Sequence, residues 1–157
     1  METFDGIKFK VCGSVEPVPE SEVVAAEESL NCKFPSDYRR FVMKYGAGFF
    51  LRLPIVIFPP GKILASTEAD QHRLRDHWFW DGAGQVLRQE DGVRSIACFD
   101  TDVGHDIRFL PEDESVMFVF SHDDDTITRC GCFKEIVRLL DPDCETRVYE
   151  FRVQKAA

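Results

Sequence analysis

The residues of this 157-residue chain whose types could do chemistry are four histidines, six cysteines and two acid-rich runs. His122-Asp123-Asp124-Asp125 could ligate a hard cation or meet basic side chains of a partner. A hard cation needs about 6 to 8 oxygen ligands, which nothing nearby completes, whereas Asp commonly caps turns through local hydrogen bonds; the run reads as a solvated hairpin turn. Asp100-Thr-Asp-Val-Gly-His-Asp106 has the outline of a calcium loop. Its glycine comes early, however, and Pro111 stands at the twelfth position, where a bidentate carboxylate is required. Cys130-Gly-Cys132 is too tight for a Cys-x-x-Cys site and has no second pair. His72, His77, His105 and His122 form no metal or nucleophile spacing with the cysteines. There is no phosphate loop and no Gly-x-Ser-x-Gly elbow. The chain therefore reads as a non-enzyme with no metal and no cofactor.

Binding is the remaining chemistry. A net charge of −9 repels nucleic-acid phosphate and favours a basic partner, although acidity also serves plain solubility. Trp78 and Trp80, two residues apart, cannot share one helix face. Beside Asp76 and Asp81 an exposed Trp has the composition of a protein-binding hot spot, and core packing is the equal alternative. The candidate partner-binding residues are Trp78, Trp80, Asp81, Asp123, Asp124 and Asp125.

The elements that position these residues are legible in patches. Ile7, Phe9 and Val11 alternate as a half-buried strand, and Arg147 to Val153 repeats the pattern. Val23, Ala26 and Leu30 make one stripe of a helix entered after Pro19 and stopped at Asn31. Pro35 and Asp37 start a second helix with Phe34, Tyr38, Phe41, Val42 and Tyr45 on one side, ended by Gly46. Phe49 to Phe58, broken by Arg52 and Pro54, predicts an edge strand or a bent one, closed by Pro59-Pro60-Gly61. Ser66 or Thr67 caps a mixed helix over 66–80 that breaks at residues 81–84. Residues 85–90 fit a helical turn or a strand equally.

From Arg94 onward, Ile96–Phe99, Ile107–Leu110, Val116–Phe120 and Thr126–Thr128 are separated by turns of hairpin length and predict an antiparallel meander. Phe133, Ile136, Val137 and Leu140 mark a closing helix stopped at Asp141-Pro142, with Cys132 and Glu135 as a weakened capping box. A hydrophobic fraction of 44% with 14 Phe fills one core, so a single domain over 1–157 is expected. Met1 to Lys10 has no apolar signal region and no run approaches the ~18 residues of a membrane span, which predicts a cytoplasmic chain with reduced thiols and no membrane partner. Cys98 and Cys32 read as small core residues.

Glu27, Leu30, Phe34, Pro35, Asp37, Tyr38, Phe41, Gly46 and Gly48 resemble the N-terminal signature of the SUKH superfamily: an acid, a Leu-Gly, a Leu-Pro-x-x-Tyr and a Gly-Gly at this spacing. Asn31, Phe34 and Gly46-Ala47-Gly48 depart from that pattern, and residues 60–93 match nothing in it. The resemblance implies an α+β domain with a twisted, mainly antiparallel sheet flanked by an N-terminal helix pair and a C-terminal helix. It implies a toxin-neutralising immunity protein whose partner is a cognate protein toxin, with nucleases a common kind; the acidity of this chain fits a basic nuclease. Fungal relatives imply the alternative of a regulatory or scaffold domain. Glu27, by its position, is expected to be a buried carboxylate bonded to backbone N–H groups or to a Tyr.

Overall fold

The computed structural model describes residues 1–78, 80 and 86–154. The fold is α+β. The chain opens on a hairpin, β1 (Glu2–Phe4) and β2 (Ile7–Cys12), turned by Asp5 and Gly6 with positive φ. Helices α1 (Glu20–Leu30) and α2 (Ser36–Tyr45) follow, then β3 (Gly48–Leu51) and β4 (Val56–Ile57). Next come α3 (Pro60–His77) and the single turn α4 (Gln89–Gly92). A meander of β5 (Ile96–Asp100), β6 (His105–Leu110), β7 (Asp113–Ser121) and β8 (Thr126–Cys130) leads into α5 (Phe133–Leu140) and the last strand, β9 (Val148–Val153). The nine strands form one sheet in the order β1-β2-β9-β3-β4-β5-β6-β7-β8. Every neighbouring pair is antiparallel except β2 and β9.

The N-terminal helix pair forms for the reasons its residues give. Asn31 takes the left-handed cap (φ 52°) that ends α1, and Gly46 (φ 94°) ends α2. Tyr38, Phe41, Val42 and Tyr45 are buried along α2. Phe41 lies in a cage of rings, at 5.1 Å from Phe4, 4.9 Å from Tyr45 and 5.0 Å from Phe151. Gly48 is needed because a Cβ there would strike the Arg152 carbonyl of β9.

Several expectations require correction. The bend at Arg52 (φ 68°) is real, but β3 and β4 lie in the middle of the sheet, so the edge reading fails. Pro54 is tolerated because it sits in the bend between them and not in a ladder. The third helix begins at Pro60, six residues before the expected cap; proline suits the first helical position, and the Ser66 and Thr67 hydroxyls bond back to the Lys62 and Ile63 carbonyls inside the helix. Of the undecided stretch 85–90, Gln89 and Glu90 are helical, and Gln85 lies outside the described residues. Cys32 is only partly buried, whereas Cys98 is fully so.

At α5 the capping box is not formed: Glu135 accepts the Gly131 N–H, and the Phe133 and Lys134 N–H groups bond instead to Asp37 Oδ2 and Asp5 Oδ2, both at 2.8 Å. Two acids distant in sequence thus supply what the local residues do not.

Strand alternation sorts the sheet into two faces. Ile107 and Phe109 point to the large core shared with α1, α2 and α5, while Asp106 and Arg108 point to the other face. A bulge at Cys98 slips the β5 register so that Ile96 and Phe99, three apart, both reach the large core. It also sets Asp100 opposite Asp106. The other face carries a second cluster of Leu74, Trp78, Leu87, Phe118, Phe120 and Ile127.

Candidate functional site

Glu27, the acid of the helix-pair signature, is buried, and its Oε2 accepts the Phe34 N–H at 2.8 Å and the Arg39 Nε–H at 3.1 Å. The expected backbone bond is present; the other partner is an arginine and not a tyrosine. The Tyr38 hydroxyl instead donates to the Phe58 carbonyl at 2.6 Å, tying α2 to the end of β4. These residues clamp the turn between α1 and α2. They are structural.

The acid-rich runs meet at one end of the sheet. The turn after β5 (residues 101–104) and the turn after β7 (residues 122–125) lie side by side, joined by the His122 N–H donating to the Gly104 carbonyl at 3.0 Å. Local bonds hold both shapes. Asp124 Oδ1 accepts the Thr126 hydroxyl at 2.7 Å, which holds its carboxyl below the usual range, and the His105 N–H donates to Thr101 Oγ1 at 2.8 Å. Asp102, Val103, Asp123 and Asp124 are exposed, and Asp125 is half-buried. Among the described residues no group of three His, Cys, Asp or Glu side chains is arranged to hold a metal ion.

Beneath these turns, on the second face, lies a polar network that the sequence did not announce. Arg108 is fully buried, with its Nε on Ser95 Oγ at 2.7 Å and a terminal nitrogen on the Ser95 carbonyl at 2.8 Å. Its other terminal nitrogen pairs with Asp70 of α3 and, at 3.4 Å, with Asp106. Arg73 bridges the same two carboxylates, at 2.8 Å to Asp70 and 2.7 Å to Asp106. His122 Nε2 stands 3.1 Å from Asp106. Burial pushes the Asp106 carboxyl up, but His122, Arg108 and Arg73 together outweigh it and hold it at about 2. The Asp100 carboxyl shifts the other way: burial raises it above its ordinary value, and the charge of Asp106 adds to the rise. The network fastens α3 to the sheet, and no reacting geometry accompanies it. The alternation Ile107-Arg108-Phe109 sets Arg108 opposite the core, which by itself reads as a solvent-facing position; the cover that α3 provides has no local signal.

Of the predicted contact residues, Trp78 is 7% exposed and packs against Phe120 at 5.3 Å and edge-on to His122 at 4.9 Å. Trp80 is half-buried, donates from Nε1 to the Leu74 carbonyl at 3.2 Å, and lies where a Cβ on Gly92 would stand. Both rings therefore serve the second cluster, the packing alternative. Asp81 lies outside the described residues. Asp123, Asp124 and Asp125 sit together at the turn, with His122 linking them down to Trp78 and Asp106.

No helix among the described residues is long and apolar enough to cross a membrane. No curated protein matches the chain. A family model described as SMI1-KNR4 cell-wall, SUKH_5, matches residues 5–130, a span that contains the helix-pair signature, the paired turns, and the stretch 60–93 that the signature alone left unmatched. With the clamp at Glu27 and the mixed sheet behind it, that match makes the chain a member of the SUKH family, which is associated with immunity proteins of toxin systems.

Proposed function

We propose that this protein is an immunity protein that neutralises a cognate toxin, a basic nuclease, by covering its active surface in a tight complex. The observation that carries the reading is the pair of adjoining acidic turns on a chain of net charge −9. Asp102, Asp123 and Asp124 are exposed there around Val103, which is 49% exposed. Such a surface presents a negative potential around an apolar contact, the complement of a phosphate-binding cleft rich in Lys and Arg. Opposite potentials speed encounter, which an inhibitor needs to intercept a toxin before it acts. The partner contacts proposed are Asp123, Asp124 and Asp125, with the half-buried Trp80 as a further contact. The turns rest on hydrogen bonds of their own, so their carboxylates are held ready and little ordering cost falls on binding.

The cell-wall term in the family description favours a second reading, a regulatory or scaffold domain with cellular partners. Co-expression separates the two. A toxin encoded beside this gene should kill bacterial cells when expressed alone, spare them when this chain is present, and co-purify with it. Killing that this chain does not relieve, with no complex formed, would overturn the immunity reading.

A further inference from the structure

We infer that the groove between α1 and α3 is a docking site for a basic segment of a partner protein that inserts one large apolar side chain. The inference rests on the protein-binding reading above but uses a different surface from the acidic turns. Glu22, Ala25 and Ser29 recur at i, i+3 and i+7 on α1, and they face Pro60, Gly61 and Leu64 of α3 across a cavity of about 260 Å³. That volume falls below the roughly 300–1,000 Å³ of small-molecule sites, so it suits a side chain better than a metabolite.

The walls are shaped for insertion. The small side chains of α1 leave a low ridge, and the space where a Cβ on Gly61 would stand is open. Leu64 is 41% exposed, a large apolar surface left in water at the groove. A single apolar anchor in a pocket, ringed by weaker contacts, is how protein interfaces concentrate their energy.

Charge names the occupant. Among the described residues no basic side chain lines the groove, and Glu22 stands in its wall. Glu68 follows one turn after Leu64 on the same side of α3. Three glutamates of α1, Glu20, Glu22 and Glu28, are exposed, Glu27 being buried against Arg39, and the helix carries no lysine or arginine. Glu20 and Glu22 favour the positive end of the helix dipole, but Glu28 lies in the last turn, where a carboxylate opposes it. A helix selected for stability alone would carry a cation there. The acidic face is left for a partner's lysines and arginines to neutralise, on either side of the inserted residue.

The test is a selection of random phage-displayed peptides on the full chain, with the Ala25→Trp variant as counter-target. Ala25 is exposed, so the indole should fill the groove without entering the core, and an unchanged melting temperature checks this. Peptides enriched on the wild type should carry one large aliphatic or aromatic residue flanked by Lys or Arg. Their binding to Ala25→Trp, and to Glu22→Lys/Glu68→Lys, should be weaker by about tenfold or more in fluorescence anisotropy. Enriched peptides without basic residues, or peptides that bind wild type and variants alike, would overturn the proposal. The co-expression assay is independent: protection from the toxin without groove-dependent peptides removes the groove alone, and groove-dependent peptides without protection remove the toxin reading alone.

Discussion

The two faces of the sheet are held by different physics. The first buries Phe9, Phe41, Phe99, Phe109 and Phe151 against the helix pair and α5, where each ring gains from contact in every direction. The second mixes Trp78, Phe118 and Phe120 with Arg108, Asp70, Asp106, Arg73 and His122. Aromatic packing tolerates a replacement of similar shape and volume, whereas a buried ionic network is weakened when one partner is removed and its charge is left uncompensated. The first face should therefore respond to volume and the second to charge and pH.

The largest effect should come from Phe41→Ala, at about 3–5 kcal/mol, because the ring is fully buried in its cage. Denaturant melts measure it, and a loss under about 1 kcal/mol would mean the first face does not depend on packing as claimed. Arg108→Ala should cost about 3 kcal/mol, since it empties a fully buried site and removes the bonds to Ser95, Asp70 and Asp106, leaving those carboxylates to Arg73 and His122 alone. Arg108→Met fills the volume without the charge. If it proves as stable as wild type, the network is replaceable by apolar packing; if it falls as far as Ala, charge is what counts.

The pH dependence sharpens the same contrast. The Asp106 carboxyl is held at about 2 in the folded protein against an ordinary 3.8. A depressed folded value contributes stability that is fully present above the unfolded value and disappears as pH falls through the folded one. About 2 kcal/mol should therefore be lost between roughly pH 5 and pH 1.5. In Asp106→Asn this part of the acid-side loss should vanish from urea melts taken across that range, and an unchanged slope would remove Asp106 as its source. The smallest effect on folding belongs to Asp123→Asn/Asp124→Asn/Asp125→Asn, within about 0.5 kcal/mol of wild type at an exposed turn. Its association with the toxin should be slower and less salt-sensitive in stopped-flow experiments, and an unaltered rate would separate these carboxylates from the encounter surface.

What the sequence determined by itself was whatever depends on near neighbours. The stops at Asn31 and Gly46, the apolar stripe of α2, the meander from β5 to β8 and the closing helix all follow from residues within a few positions of one another. The acidic turns were legible for the same reason. The tertiary structure alone decided the rest, because its determinants are far apart in the chain. β9 enters between β2 and β3 by pairing with strands about a hundred residues or more earlier. Asp5 and Asp37 cap α5 across the molecule.

Trp78 belongs to the packing, and not to the surface, because Phe120 and His122 arrive from another hairpin to cover it. Arg108 is affordable in the interior because α3, starting at Pro60, carries Asp70 to it, beside its bonds to Ser95 and Asp106. No local pattern records such a meeting: a charged residue within a strand reads as solvent-facing until the helix that covers it is in place.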